Sequence, residues 1–331
     1  MKKRKLAAGL ALAAASALVL AGCSSSGDDK GKTDDSAKAE SYSIGVIQLV
    51  QHPALDAATQ GFKDAFKDAG VDVKWDVKNA NGEQATAVTM AQGFASGGSD
   101  LVLAVATPAA QAAAQAITDK PVLFTAVTDA VSAELVKSND KPGANVTGTS
   151  DAAPIEDQLK LLKEIVPDAK TVGIVYSSGE VNSEVQVKAA KDAAKGLGLE
   201  IKEATVTTAN DIAQAAESLG DVDAFYVPTD NTVVSGISAL VQVGETKQIP
   251  IIGAESGTVE GGAVATLGID YTKLGHQTGE MALKILQDGG DPATMPVEVS
   301  KEFTYVVNPD AAKRMGVTIP KDILDKAETV K

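Results

Sequence analysis

The chain has 331 residues, of which 44% are hydrophobic and 22% are charged, and its formal net charge is −14. This excess of carboxylates repels the phosphate backbone of nucleic acids, and the lysines are scattered, so we expect no nucleic-acid partner. Cys23 is the only cysteine, which excludes a disulfide within the chain and a thiolate metal site. We therefore expect a packed core to provide the stability, and no metal or other cofactor.

The first residues have the pattern of a bacterial lipoprotein export signal. The basic start Met1-Lys2-Lys3-Arg4-Lys5 precedes an apolar stretch from Leu6 to Leu20, and the small residues Ala21-Gly22 lead into Cys23. Small residues before a cysteine suit cleavage and lipidation. We predict a signal peptide over residues 1–22 and a lipid on Cys23, which would hold the protein on the outer face of a bacterial cell membrane. Loss of the signal peptide changes the formal charge from −14 to −18.

A polar segment separates this signal from the body of the chain. Residues 23–41 are rich in Ser, Asp, Lys and Gly and show no apolar periodicity, which predicts a tether. The remaining residues, about 290, suffice for two domains of ordinary size. No later segment approaches the roughly 20 apolar residues of a spanning helix, so the lipid on Cys23 should be the membrane contact.

Strand and helix patterns alternate along the first half of the body. The apolar run Ser43–Leu49 is followed by apolar residues at helical spacing from Leu55 to Ala69, and Gly70 ends the pattern. Further strands are predicted over 71–77, 100–106, 121–127 and 145–150, with helices over 85–95 and 109–116. This alternation is typical of a parallel sheet covered by helices on both faces.

The second half repeats this pattern. Gly45 and Gly70 are 25 residues apart, as are Gly173 and Gly198, and each pair brackets a strand and an amphipathic helix. Any two α/β segments share apolar strands and terminal glycines, but here later strands also match in the same order. The sequence therefore predicts two similar, doubly wound parallel-sheet lobes.

Two such lobes provide a natural place for a ligand. In open parallel sheets, ligands bind beyond the carboxyl ends of the strands. Two lobes that face each other along these edges enclose a cleft, and ligand binding can close the hinge between them. We therefore look for binding residues where the strands end.

At the strand ends of the first lobe, the candidates are mostly hydroxyl and amide side chains. Thr107 precedes Pro108 and an alanine-rich helix, so its hydroxyl and the free N–H groups of the helix could bind a ligand carboxylate. An ordinary helix cap is the alternative interpretation. The first-lobe candidates are Gln51, His52, Thr107, Ala109, Thr125 and Thr128.

The equivalent places in the second lobe carry acids. Asp230, Glu255 and, in the crossover between the lobes, Asp151 could hold an ammonium group through charge-assisted hydrogen bonds. Asn182 could orient either end of the ligand. Each acid taken alone is more often a solvated loop residue or a helix cap. Together with the hydroxyl groups opposite, they suit a zwitterion.

Several segments also resemble a known family across nearly the whole body. They are His52-Pro53-Ala54-Leu55-Asp56, Ala106-Thr107-Pro108-Ala109-Ala110-Gln111, Phe124-Thr125-Ala126-Val127-Thr128-Asp129, Asn145-Val146-Thr147-Gly148, Tyr226-Val227-Pro228-Thr229-Asp230-Asn231 and Ala265-Thr266-Leu267-Gly268-Ile269-Asp270-Tyr271. In these segments the chain resembles the substrate-binding lipoproteins of ABC importers, of the tryptophan/tyrosine-type subgroup. The resemblance implies a type I periplasmic-binding-protein fold, with three strands crossing between the lobes. It implies a first lobe of residues 42–149 and 272–303 and a second of residues 150–271 and 304–331.

The resemblance also implies an amino acid, aromatic in this subgroup, as the cargo and an ABC permease in the membrane as the partner of a monomer. A smaller or aliphatic amino acid is the alternative, because only 4% of the residues are aromatic.

Two other functional classes are alternatives to transport. An enzyme is disfavoured because Ser256 stands one position off a nucleophile elbow, no phosphate-binding glycine loop follows the first strand, and His52 and His276 are far apart. We expect that the protein is not an enzyme. A lipoprotein that senses the same ligand and signals through a membrane receptor would have the same lobes and the same cleft.

Overall fold

The computed structural model describes residues 41–300 and 302–330, which form two α/β lobes. The predicted signal peptide, Cys23 and the tether up to residue 40 lie outside the described residues. Ser41, which the sequence placed in the tether, is the first residue of a strand.

The first lobe begins with three strand and helix units followed by two further strands. Its elements are β1 (Ser41–Gln48), α1 (Pro53–Asp68), β2 (Asp72–Asn79), α2 (Gln84–Ser96), β3 (Leu101–Val105), α3 (Thr107–Ala116), β4 (Val122–Val127) and β5 (Val146–Ser150).

The chain then builds the second lobe in the same way. Its elements are α4 (Ile155–Ile165), β6 (Thr171–Ser177), α5 (Val181–Leu197), β7 (Glu200–Val206), a 3₁₀ turn (Ala209–Asp211), α6 (Ile212–Ser218), β8 (Ala224–Val227), α7 (Asn231–Ser235), α8 (Ile237–Lys247), β9 (Ile251–Gly253), α9 (Ser256–Glu260) and β10 (Ala265–Gly268).

The last part of the chain contributes elements to both lobes. The long helix α10 (Tyr271–Asp288) packs on α1, and β11 (Glu298–Val299) pairs with β5 in the first lobe. The chain then returns to the second lobe with β12 (Thr304–Val307), α11 (Pro309–Arg314), α12 (Lys321–Leu324) and β13 (Glu328–Thr329).

The two sheets have the same strand order in their repeated parts. The first runs β11-β5-β4-β3-β1-β2 and the second runs β13-β12-β10-β9-β8-β6-β7. Among the described strands, only β12 pairs antiparallel, against β10. This correspondence confirms the fold predicted from the sequence repeat. Gly70 and Gly198 adopt nearly the same left-handed backbone, with φ of 68° and 66°, where the helix that follows the first strand of each lobe ends.

Each sheet has its own apolar core, which separates the two lobes physically. The ends of the segment 150–271, which the sequence placed in the second lobe, belong to the first. Ser150 pairs with Val127 in the first sheet, and Tyr271 packs in the first core. The three crossings between the lobes therefore lie between β5 and α4, between β10 and α10, and between β11 and β12.

Helices α1 and α10 pack closely because glycines face their contact. A Cβ added to Gly275 would lie 1.9 Å from the carbonyl oxygen of Ala58, and one added to Gly61 would lie 2.0 Å from the carbonyl oxygen of Thr272. Both distances are far below van der Waals contact, so the backbones can approach only without side chains. This contact fixes α10, which follows the second crossing, to the first lobe.

We expect Gly275→Ala to lower the free energy of unfolding by about 1–3 kcal/mol, because the added methyl group forces the two helices apart. Gly93→Ala in α2 is the matched control, since a Cβ there meets nothing within 4 Å. The control should raise stability by about 0.5–1 kcal/mol through helix propensity. Urea denaturation measures both, and equal stability of the two variants would contradict the tight packing.

Candidate functional site

The facing strand ends of the two lobes enclose a small central cavity. Its volume is about 10 Å³, roughly the space that holds one water molecule. The side chains around it come from both lobes and are largely polar. They belong to His52, Ala54, Leu55, Ala126, Asp151, Thr229, Asp230, Asn231, Val234, Glu255 and Tyr271.

A larger cavity, which we call the mouth cavity, opens beside the central one. Its volume is about 310 Å³, within the range of small-molecule pockets. Leu49, Val50 and Pro108 line it from the first lobe, and Glu180 lines it from the second. Asn231 borders both cavities, so the two are neighbours.

Asp151 lies in the first crossing between the lobes and is buried. One of its carboxylate oxygens accepts a hydrogen bond from the Thr128 hydroxyl at 3.0 Å, and the other accepts one from the Tyr271 hydroxyl at 2.7 Å. Each oxygen keeps room for a further donor. Burial raises the pKa of the Asp151 carboxyl above its ordinary value.

Glu255 follows β9 and is only 1% exposed. Its Oε2 atom accepts a hydrogen bond from the Gly257 N–H at 2.6 Å, whereas its buried Oε1 atom has no partner. Burial raises the pKa of this carboxyl to about 7, and the negative charge of Asp151 contributes in the same direction. Glu255 therefore offers a free acceptor at the central cavity.

Asp230, a predicted ligand contact, is held by its own lobe. Its Oδ2 atom accepts hydrogen bonds from the Ser177 N–H and the Ser183 hydroxyl, both at 2.6 Å, and its Oδ1 atom accepts one from the Val233 N–H at 2.7 Å. Burial and the nearby charge of Glu180 raise its pKa to about 7. Three of its lone pairs are thus used to organise the second lobe around the cavity.

Glu180 sets the orientation of the groups that reach His52. Its carboxylate oxygens accept hydrogen bonds from the Asn231 amide nitrogen at 2.5 Å and from the backbone N–H groups of Asn231 and Thr232. The Asn231 amide therefore turns its oxygen towards Nε2 of His52, 3.4 Å away. His52 must donate from Nε2, which leaves its buried Nδ1 as an unpartnered acceptor. Burial lowers the pKa of His52 to about 4, so the ring is neutral at neutral pH.

Polar side chains also join the two lobes directly. The Thr128 hydroxyl of the first lobe lies 3.3 Å from the Thr229 hydroxyl of the second. Gln186 donates to the Thr229 hydroxyl at 2.7 Å and approaches Thr128 at 3.5 Å. The described lobes thus touch across the cleft.

The other predicted site residues lie around the cavities without lining them. Thr107 is the first residue of α3 rather than its cap, a position that Ala106 takes, and the buried Thr107 hydroxyl has no partner. Ala109 is buried in α3, and Thr125 accepts a hydrogen bond from Thr149 inside the first lobe. Asn182 donates to Glu180 and to the carbonyl of Thr229, and its buried oxygen has no partner. Gln51 is exposed.

Sequence reasoning missed Glu180, Gln186, Asn231 and Tyr271. Asn231 directly follows the predicted Asp230, and Tyr271 ends one of the segments that carry the family resemblance. Both lie close to the end of a strand, so the strand-end rule could have included them. Gln186 lies one helical turn after the predicted Asn182, on the same face of α5. No local pattern distinguishes Glu180 from a solvated loop acid.

The charges around the cleft have one sign. Within residues 41–300 and 302–330, no lysine or arginine lines the central or the mouth cavity. The same part of the chain contains no group of three or more His, Cys, Asp or Glu side chains able to hold a metal ion. None of its helices has the length and apolar character needed to cross a membrane.

Comparison with known proteins identifies the family. Residues 43–331 match the family model described as ABC transporter substrate binding protein. The chain belongs to this family. A tyrosine-binding protein from Clostridioides difficile is 42% identical over 308 residues, which cover 90% of this chain and 88% of that protein. Because these relatives are substrate-binding proteins, the expectation that the chain is not an enzyme is confirmed.

Two solved structures show which arrangement of the lobes is present here. An ABC domain in complex with L-Trp from Streptococcus pneumoniae is 39% identical, with a TM-score of 0.85 over 88% of this chain and 100% of that chain. The ligand-free, open structure of a substrate binding protein with adhesive properties from Clostridium difficile is more similar in sequence, at 44%. Its TM-score is nevertheless only 0.68, over 88% of this chain and 99% of that chain. The lobes of this protein are therefore arranged more like those of the L-Trp complex than like those of the open structure, and we call this arrangement closed.

We expect Glu255→Gln to favour closure of the ligand-free protein at pH 8. The pKa of Glu255 is raised from 4.5 to about 7 in the closed arrangement. The resulting penalty on closure is small near pH 4.5, grows as the pH rises and is complete above about pH 7. It amounts to at most about 3 kcal/mol if opening restores the ordinary pKa. The variant lacks this penalty, so it should have the smaller radius of gyration in X-ray scattering.

At pH 5 the difference between the variant and the parent protein should shrink. His52 is present in both proteins, so its titration affects both equally and does not change the difference between their radii of gyration. Identical radii of gyration at pH 8 would contradict the role given to Glu255.

Proposed function

We propose that this protein captures an aromatic amino acid, with L-tryptophan and L-tyrosine as the first candidates, and delivers it to the permease of an ABC importer. The observation that carries the proposal is the central cavity, where buried acceptors from both lobes surround a water-sized space. The names of the similar proteins support the class of cargo, since one is described as tyrosine-binding and another holds L-Trp.

The ammonium group of the amino acid is the part that fits the central cavity. It has about the size of a water molecule and donates three hydrogen bonds. Glu255 Oε1 and the free positions of the Asp151 carboxylate are acceptors, and His52 Nδ1 is a third. Charge-assisted hydrogen bonds in such a buried place are strong.

The side chain of the amino acid would extend past Asn231 into the mouth cavity. Leu49, Val50 and Pro108 provide apolar surface there. Pro108 stands in the first turn of α3, so the N–H groups at this helix end and the neutral donors Asn81, Gln84 and Ser177 of the cavity lining are candidates for the α-carboxylate. These groups support the zwitterion predicted from the sequence.

Closure would convert binding into a signal for the permease. A ligand shifts an equilibrium between open and closed forms only when it interacts better with one of them. Asp151 and His52 approach the central cavity from the crossing and the first lobe, and Glu255 approaches it from the second. A ligand held by all three favours the closed form, which a permease can recognise.

We further propose that the lipid on Cys23 keeps the protein at the outer face of the membrane, where it works as a monomer. The lipoprotein signal in residues 1–22 and the polar tether that follows support this location. A tethered receptor remains close to its permease.

Isothermal titration with each standard amino acid tests the proposal. L-tryptophan or L-tyrosine should bind, and Asp151→Asn should weaken that binding by roughly 10–100-fold, as expected for the loss of a charge-assisted hydrogen bond. Asp168→Asn is the control, because Asp168 is an exposed acid in the turn before β6. It should leave the affinity unchanged.

The proposal fails if no amino acid binds, or if both variants bind with the affinity of the parent protein.

A further inference from the structure

The central cavity is surrounded by hydrogen-bond acceptors. Glu255 Oε1 and His52 Nδ1 are buried and unpartnered, and both residues line the cavity. The Asp151 carboxylate uses one donor on each oxygen and can accept more. His52 cannot serve as a donor at Nδ1, because Asn231 engages its Nε2 side.

The donors that could bind a ligand carboxylate are uncharged. No lysine or arginine from the described part of the chain lines either cavity. The side-chain donors that line the mouth cavity are neutral amide and hydroxyl groups, among them those of Asn81, Gln84 and Ser177. Hydrogen bonds between neutral donors and a ligand contribute less than those between two charged groups.

The volume of the central cavity and the charges around it both favour the ammonium group of the ligand over its carboxylate. A volume of about 10 Å³ admits an ammonium group but not a carboxylate with two oxygens. Burying Asp151 and Glu255 without a cation is unfavourable, and a ligand ammonium relieves it. The α-carboxylate of the same ligand adds a negative charge to a cleft that already has several.

We infer that the site recognises its cargo through the ammonium group, so that it also binds aromatic primary amines that lack the α-carboxylate. This inference rests on the proposed function for the aromatic part of the ligand. The ligand class is thus wider than amino acids: an aromatic ring, a short linker and a primary amine are sufficient for binding and closure. Aromatic acids without the amine are excluded.

Isothermal titration of the full chain with three matched probes tests this. The probes are L-tryptophan, tryptamine and indole-3-propionate, with L-tyrosine, tyramine and 3-(4-hydroxyphenyl)propionate as the second set. Within a set, the amine should bind within about 100-fold of the amino acid, since the hydrogen bonds that it loses carry a charge on the ligand alone and not on both partners. The acid should bind at least about 1,000-fold more weakly, because it leaves the buried carboxylates unpaired.

Two variants locate the effect. Glu255→Gln should weaken the binding of tryptamine and of L-tryptophan by the same factor, about tenfold or more, because both ligands use the ammonium contact. Glu164→Gln is the control, since Glu164 is exposed on α4 and lines neither cavity. It should change either affinity by less than about threefold, as expected for a screened surface charge.

The outcomes separate the two claims. If the amino acids bind and the amines do not, the inference is wrong and the proposed function stands. If the amines bind and the amino acids do not, the inference stands and the proposed cargo is wrong. If neither class binds, both are wrong. Binding of the acids as tight as that of the amines would also overturn the inference.

Discussion

Closing the cleft removes Asp151 and Glu255 from water without placing a lysine or arginine beside them in the described cavity lining. Buried carboxylates are stable only when protons, hydrogen-bond donors or cations compensate their charge. Here hydroxyl and backbone donors satisfy part of this need, but Oε1 of Glu255 is buried without a partner, and burial raises the pKa of this carboxyl to about 7. In the function that we propose, a ligand ammonium supplies the missing charge. On that proposal, the same deficit explains why the closed form needs cargo and which end of the cargo it selects.

The rest of the structure lets this charge compensation control how the two lobes are positioned. Each lobe has its own core and its own sheet, so each moves as a unit. The contact between α1 and α10 is too tight to shift, because backbone approaches backbone at Gly61 and Gly275. Movement is left to the three crossings. Asp151 lies in one of them and bonds to Tyr271 at the start of α10, so the hinge and the binding site share an acid.

Much of the fold could be predicted because the sequence pattern of the first lobe is repeated in the second. The spacing from Gly45 to Gly70 recurs from Gly173 to Gly198, and both units fold alike. The site was harder to predict. Strand-end rules pointed to Asp151, Asp230 and Glu255, but the partners of Asp151 and two of those of Asp230 are distant in sequence. Glu255 caps α9 with one oxygen, and its other oxygen is buried without a partner. Whether a buried acid serves its own lobe or a ligand depends on such contacts, which local pattern does not contain.

The most direct test of the account is the distance between the lobes with and without cargo. Spin labels at Gln84→Cys and Thr207→Cys, on opposite rims of the mouth cavity, report it in a chain carrying Cys23→Ser, which otherwise has no cysteine. Double electron–electron resonance at pH 8 should give a long distance for the ligand-free protein and a shorter one after addition of L-tryptophan or L-tyrosine. A short distance already present at pH 8 without ligand, and unchanged by either amino acid, would contradict the claim that the ammonium of the cargo closes the cleft.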